Sequence, residues 1–338
     1  MLTRKTPGSK SILSAQVVVL AAIGWAFISL LFFLLFSDFI PTEGFPTWYG
    51  IVTYILENVA FLGATLLCFR NWRSSQIVSG RTVWLMLGLG MLSFFIGNLI
   101  LFYWEIILGK DADVSPGDIF FLLNYFFLGI GMFLAVMTRR LNLSIAQWGT
   151  VVAIGVAGIV IAYYTSVAVP EELVGDRPSL PTSAQVSWVA PAYATAPPVE
   201  PVEPSLPDAP PSDPLPVEAE STAPGWAIAA EAFLAPYAEW IALLYILGDI
   251  LLLIMATMLL LAFWGGRFST SWRFIAAAAF SFYIADIWFN FAISYIPNYQ
   301  TGALLEVFWI FSAVLVSIGA ALEYDLSTRS RRTTRRRM

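Results

Sequence analysis

Long apolar runs separated by short polar segments fill most of the chain. Each run is close to the about 20 residues that a helix needs to cross the hydrocarbon core of a bilayer, which is about 30 Å thick. We therefore predict an all-α integral membrane helical bundle with eight transmembrane helices. Their approximate bounds are residues 16–36, 50–69, 83–108, 117–137, 148–166, 240–263, 272–295 and 302–321.

One segment, 167–239, breaks this pattern. It holds most of the 20 prolines and nearly half of the 23 acidic residues, but only one basic residue, Arg177. Proline cannot continue a helix interior or a central strand. Few large apolar side chains remain there to offset the entropy of an ordered chain. We expect an extended, mostly disordered Pro-rich loop, with one short surface helix near residues 227–234.

Basic residues predict the orientation of the eight helices. In an eight-helix arrangement, all but two of the 18 Lys and Arg residues lie on one side of the membrane, and the exceptions are Lys110 and Arg177. This places both termini in the cytoplasm and the Pro-rich loop outside, in an inner or plasma membrane. The N-terminal basic stretch precedes an apolar run that is too long for a signal peptide, so we expect that run to be retained as the first helix.

The two halves of the chain share a pattern. Tyr54-Ile-Leu-Glu-Asn58 matches Tyr245-Ile-Leu-Gly-Asp249 at an offset of 191, and Trp84 matches Trp272 at an offset of 188. Further matches at 188 are Gly97-Asn98 with Ala285-Asp286, and Asp118 with Glu306. A nearly constant offset over several helices predicts two parallel four-helix repeats.

The predicted domain organisation follows from this duplication. A cytoplasmic N-terminus covers residues 1–15, and the first repeat covers 16–138. The second repeat covers 139–323 and contains the inserted loop, and an Arg-rich cytoplasmic tail covers 324–338. Arginines near the membrane surface attract anionic lipid at about 1 kcal/mol each, although a topology anchor is the simpler interpretation of the tail. The cluster is short and lacks aromatic residues, so it does not favour nucleic acid.

Polar side chains inside the apolar runs are the candidate functional residues. An ionisable group at the centre of a membrane helix costs roughly 2.5–3.5 kcal/mol, so such groups face the bundle interior or water. They fall in the outer half of the predicted helices, and the repeat supplies them in pairs. The predicted outward-facing polar cavity is lined by Glu57, Asn98, Asp118, Asp249, Asp286 and Glu306.

Two interpretations of these six residues stay open. They could hold a cation, a protonatable solute or a lipid head group, and without a basic partner some of the carboxyls would then be protonated. They could instead be hydrogen-bonded contacts between helices, worth about 0.6 kcal/mol each. The Ser115-Pro116-Gly117-Asp118 turn is more simply a helix start, capped by Ser115 or Asp118.

Composition excludes several kinds of chemistry. The chain is 58% hydrophobic and 12% charged with a mean hydropathy of +0.74, which is typical of a membrane protein. It has no histidine and a single cysteine, Cys68, so no intrachain disulfide and no histidine-dependent metal, haem or nucleophilic site can form. We predict no catalytic residues, no cofactor and no metal.

The segment 115–125 and the stretch around Tyr245-Ile-Leu-Gly-Asp249 carry a family resemblance. Over residues 48–137 and 240–323, the chain resembles the multi-span bacterial membrane modules found ahead of diguanylate cyclase or histidine kinase output domains. Because the chain ends soon after Glu323 without an output domain, the resemblance implies a sensory or scaffolding module that stands alone.

Three functions follow from these observations. The first is a sensory, scaffold or accessory subunit that acts through helix contacts with a membrane protein partner. The second is a carrier of a small solute or ion. The third, an enzyme acting on a lipid or isoprenoid, is disfavoured because the chain has no paired-aspartate motif and no phosphate-binding loop. We therefore predict a protein that is not an enzyme.

Overall fold

A computed structural model describes residues 14–37, 45–110, 114–137, 143–166, 223–263, 269–296 and 299–335. Over these residues the chain is helical, and no strand occurs. The helices are α1 Ala15–Phe36, α2 Thr47–Arg73, α3 Arg81–Phe102, α4 Asp118–Met137, α5 Ile145–Ser166, α6 Gly225–Leu234, α7 Ala238–Ala262, α8 Ser269–Tyr295 and α9 Val307–Arg335. A π-helical turn, Tyr103–Ile107, extends α3, and short 3-10 turns, Ala235–Tyr237 and Leu304–Glu306, precede α7 and α9.

Eight helical stretches in the described part of the chain are long and apolar enough to cross a membrane. This confirms the predicted all-α membrane bundle. The predicted surface helix near 227–234 is also confirmed as α6, which runs into α7 through the 3-10 turn. The rest of the Pro-rich loop, residues 167–222, and the first 13 residues lie outside the described residues.

Six helices form a closed ring. In order around the ring, α2 packs on α3, α3 on α4, α4 on α7, α7 on α8, α8 on α9, and α9 returns to α2. The other two long helices lie outside it, α1 against α9 and α5 against α7 and α8. We call the end at which α2, α4, α7 and α9 begin the outer end, after its predicted orientation. The six candidate residues lie on helices of this ring or, for Glu306, in the turn just before α9.

Aromatic residues fill the centre of this ring. The Trp84 and Trp272 rings lie 5.7 Å apart, and the Phe94 and Phe282 rings lie 5.5 Å apart. Both pairs are separated by 188 residues in the sequence, the offset of the predicted repeat. Contacts between equivalent residues are expected close to a twofold axis between two repeats. They support the duplication, which stays a prediction.

The last helix is longer than predicted. We expected the eighth transmembrane helix to end near residue 321, but α9 continues to Arg335 and includes most of the predicted tail. No glycine or proline follows Gly319 to stop the helix. Glu323, two residues beyond the predicted end of this helix, is fully buried.

Two glycines bring α3 and the start of α4 close together at the outer end. A Cβ atom on Gly97 would lie 2.9 Å from the Phe121 ring, and one on Gly117 would lie 2.9 Å from the Gly97 carbonyl oxygen. The turn before α4 is capped as predicted: Asp118 Oδ2 accepts the Ser115 backbone N–H at 2.7 Å. Asp118 is thereby fixed between the helices.

Candidate functional site

Asp249 on α7 and Asp286 on α8 are joined by one tyrosine of α4. The Tyr125 hydroxyl lies 2.7 Å from Asp249 Oδ1 and is also hydrogen-bonded to Asp286 Oδ2. A phenol has one proton to donate, so the second contact needs a proton on a carboxyl group that donates to the phenol oxygen. The geometry therefore calls for at least one protonated carboxyl in this group.

A tryptophan and a glycine complete the surroundings of Tyr125. Trp309 Nε1 of α9 donates to Asp286 Oδ1 at 2.6 Å, so four helices meet at the two aspartates. A Cβ atom on Gly248 would lie only 2.6 Å from the Tyr125 ring. Glycine at this position of α7 is what lets the tyrosine ring reach Asp249.

Asp118 belongs to the same group. Its Oδ1 accepts the Tyr245 hydroxyl at 2.6 Å, and the Tyr245 and Tyr125 rings lie 5.8 Å apart. We call this group the aspartate cluster; its members are Asp118, Tyr125, Tyr245, Asp249, Asp286 and Trp309. It joins α4 to α7, α8 and α9.

A second group lies between α2, α3 and the start of α9. Glu57 Oε2 accepts the Asn98 side-chain N–H at 2.9 Å. The Glu105 carboxyl accepts the Tyr54 hydroxyl, and its Oε1 also accepts the Thr301 hydroxyl at 2.9 Å. Each of these bonds joins α2 or α3 to a neighbouring segment.

Glu306 closes the second group. It accepts the Tyr299 hydroxyl on Oε1 and the Gly302 backbone N–H, at 2.6 Å, on Oε2. Burial and the nearby Glu306 carboxyl raise the pKa of Tyr299 well above its usual value, so this phenol remains a donor. Gly302 has a φ of 138°, which a side chain would disfavour. We call this group the glutamate cluster; its members are Tyr54, Glu57, Asn98, Glu105, Tyr299, Thr301, Gly302 and Glu306.

Aromatic rings lie between the two clusters. Phe289 packs against Tyr299 of the glutamate cluster at 6.1 Å and against Trp309 of the aspartate cluster at 5.4 Å. The six residues predicted to line one cavity are thus distributed over two buried clusters: Glu57, Asn98 and Glu306 in one, and Asp118, Asp249 and Asp286 in the other. All six are at most 8% exposed. A common outward-facing cavity stays a prediction.

The clusters correspond to each other through the repeat offsets. Tyr54 matches Tyr245, Asn98 matches Asp286, and Glu306 matches Asp118. In each cluster the acid at the start of the fourth helix of one half lies with residues of the second and third helices of the other half. The two halves are therefore tied together by both clusters.

The sequence analysis missed the tyrosines and Glu105. Tyr54 and Tyr245 were used only to align the repeat, and Glu105, inside the third predicted helix, was not among the candidate residues. One signal was available: an acid buried in a membrane without a basic partner needs another hydrogen-bond donor, and tyrosine is a donor that apolar helices tolerate. Which tyrosine pairs with which acid could not be predicted from the sequence, because the two partners come from different helices.

A small pocket lies beside the aspartate cluster. It is lined by Asp249 and Ile250 of α7, Tyr283 and Asn290 of α8, and Ala162 of α5, among others. In the part of the chain that is described, no group of three or more Asp, Glu or Cys side chains is arranged to hold a metal ion. The clusters can bind or exchange protons, and together they place donors and acceptors on all six ring helices.

Comparison of the chain with protein-family models, curated proteins and solved structures gives no match.

Proposed function

We propose that this polytopic membrane protein is a sensory or accessory subunit, not an enzyme, that acts on a membrane protein partner through helix contacts. The clusters are the responsive element in this proposal. Their hydrogen bonds need a particular number of protons, so a change in protonation or occupancy changes which helices are held together. Such a local change can bias a bundle between two arrangements.

One observation carries the proposal: α9 is attached to both clusters and continues past Thr328, where its membrane-spanning stretch ends. Glu306, in the turn just before α9, belongs to the glutamate cluster, and Trp309, in its first turn, binds Asp286. The same helix then runs without interruption to Arg335. A shift at either cluster would move α9 as a whole, and this helix is about 40 Å long at 1.5 Å per residue.

Coupling of the clusters to α9 can be measured by pulsed electron spin resonance. Spin labels are placed at the inner end by Val78→Cys and Thr328→Cys, after the buried Cys68 is replaced by alanine. We expect Trp309→Phe to shift or broaden the distance distribution between the labels, because α9 loses its bond to the aspartate cluster. Trp240→Phe, on a tryptophan that is 65% exposed, is the matched control. Identical distributions in the Trp309 variant and the parent would contradict the proposal.

The alternative is a carrier of a small solute or ion. The pocket between α5, α7 and α8 favours it, because Asp249 and Asn290 place polar groups on its wall. Proteoliposomes separate the two functions. A carrier would dissipate an imposed proton or sodium gradient, and the Asp249→Asn, Asp286→Asn double variant would abolish this flux. A sensory subunit would leave the gradient intact.

Location and lipid contacts complete the proposal. Both termini lie in the cytoplasm of a cell with an inner or plasma membrane, and the basic end of α9 contacts anionic lipid there. The support is the sorting of basic residues along the sequence. Replacing the arginines of residues 329–337 with glutamine should lower binding of the corresponding peptide to anionic vesicles, with no change for neutral vesicles.

A further inference from the structure

Glu57 differs from the other carboxyls of the glutamate cluster in having an open oxygen, by which we mean a buried oxygen without a hydrogen-bond partner among the described residues. Its side chain is fully buried, and Oε2 accepts one hydrogen bond, from Asn98. Oε1 has no hydrogen-bond partner among the described residues. By contrast, both carboxyl oxygens of Glu306 receive donors. A buried polar atom without a partner costs about 1–3 kcal/mol, so an open carboxyl oxygen inside the bundle calls for an occupant.

A second open oxygen lies one turn away on the same helix. Thr53 precedes Glu57 by four residues, which places both on the same face of α2. Its side chain is fully buried, and Oγ1 lacks a partner in hydrogen-bonding geometry, although Thr53 lies beside Tyr49. The Tyr49 hydroxyl donates elsewhere, to the Gly302 carbonyl at 2.6 Å. Neither of the two oxygens takes part in the hydrogen bonds that hold the glutamate cluster together.

The charge around this site favours a cation. Glu105 and Glu306 interact electrostatically with Glu57. Among the described residues, the other titratable groups that face the site are phenols, namely Tyr49 and Tyr54 of α2 and Tyr299 before α9.

Glu57 also has no counterpart in the other half of the chain. The equivalent position by the repeat offset is Gly248, where the space is filled by the Tyr125 ring. In the aspartate cluster the Tyr125 ring occupies this space, whereas in the glutamate cluster the Glu57 carboxyl occupies the equivalent position and has one oxygen without a partner. Among the described residues, the position equivalent to Glu57 offers no such oxygen in the other half of the bundle.

We propose that Glu57 and Thr53 form an exchangeable proton site. Glu57 Oε1 takes up the proton and donates a hydrogen bond to one bridging water, and this water donates a hydrogen bond to Thr53 Oγ1. The step is a simple transfer: hydronium gives its proton to the carboxylate, leaving one water and one neutral carboxylic acid. A metal cation fits less well, because it needs more oxygen ligands than the two that are open. This inference does not depend on the sensory role proposed above.

Infrared difference spectroscopy tests the site directly. The full-length protein is reconstituted in liposomes of neutral lipid, and spectra are recorded while the pH of the buffer is changed at constant sodium. We expect a carbonyl band of a protonated carboxylic acid whose amplitude changes with pH. Glu57→Gln should remove this component. Thr53→Val, which keeps the shape and loses the hydroxyl, should shift its frequency because the neutral acid loses its acceptor.

A matched control lies on the same helix. Thr65 is also buried, but its hydroxyl already donates to the Phe61 carbonyl at 2.9 Å. Thr65→Val should therefore leave the Glu57 band in place. Helical circular dichroism and gel filtration establish that each variant is folded. If Glu57→Gln fails to fold, the frequency shift of the Glu57 band in Thr53→Val still tests the proposal.

Three results would overturn the proposal. A Glu57 band that is the same at every pH would mean a permanently protonated, structural carboxyl. No carboxylic acid band attributable to Glu57 at any pH would mean a permanent carboxylate. A band that responds to sodium at constant pH would assign the site to a sodium ion instead.

Discussion

Removing the Tyr125 hydroxyl tests whether the aspartate cluster holds the two halves of the bundle together. Tyr125→Phe keeps the ring against Gly248 and leaves no cavity, but it deletes the contacts to both Asp249 and Asp286. Hydrogen bonds between membrane helices contribute about 0.6 kcal/mol on average and at most about 1.7. With two bonds lost, we expect the free energy of unfolding to fall by about 1–3 kcal/mol, a change of roughly 5- to 150-fold in the unfolding equilibrium.

The assay is reversible unfolding in mixed detergent micelles, with sodium dodecyl sulfate as the denaturant and helical circular dichroism as the signal. Tyr163→Phe is the control, because that side chain is 56% exposed and its change should stay within about 0.5 kcal/mol. Adding Asp249→Ala to Tyr125→Phe should cost less than the sum of the single changes, since both remove the same bond. Equal stability of the Tyr125 and Tyr163 variants would refute the bridging role.

Three further predictions follow from other contacts. Gly97→Ala should destabilise the protein by about 1–3 kcal/mol, because its Cβ would press on Phe121, whereas Gly63→Ala meets no atom within 4 Å and should not destabilise it. Unfolding as above measures both, and equal effects would argue against tight packing of α3 on α4. Trp309→Phe replaces a buried indole by a smaller ring and removes its bond to Asp286, so it should lower stability by at least about 0.6–1.7 kcal/mol in the same assay. In sealed right-side-out vesicles, added protease should cut the Pro-rich loop; cleavage only in inside-out vesicles would reverse the predicted orientation.

The local features of the fold were predictable from the sequence. Hydrophobic runs of the right length fix transmembrane helices, because every backbone polar group in a bilayer must be bonded within its own helix. The bounds of seven runs agree with the helices within a few residues. The eighth was cut short, because hydropathy falls after residue 321 while nothing in the backbone stops the helix. Hydropathy reports the membrane boundary, whereas glycine, proline and caps determine where a helix ends.

The sequence by itself also picked out five buried acids: Glu57, Asp118, Asp249, Asp286 and Glu306. Their cost in hydrocarbon is a property of each side chain, so Glu57, Asp249 and Asp286 stand out without any knowledge of neighbours. The constant offset likewise paired positions in the two halves, such as Trp84 with Trp272, before any contact was known.

Only the tertiary structure decided how these acids are satisfied. Tyr125 and Asp286 are 161 residues apart, and Glu105 meets Thr301 across 196 residues. Such partners depend on how the helices are arranged around the ring, which hydrophobic periodicity does not specify because every face of these helices is apolar. The same arrangement divides six predicted residues into two clusters and leaves Glu57 with an open oxygen, where the equivalent glycine admits a tyrosine ring.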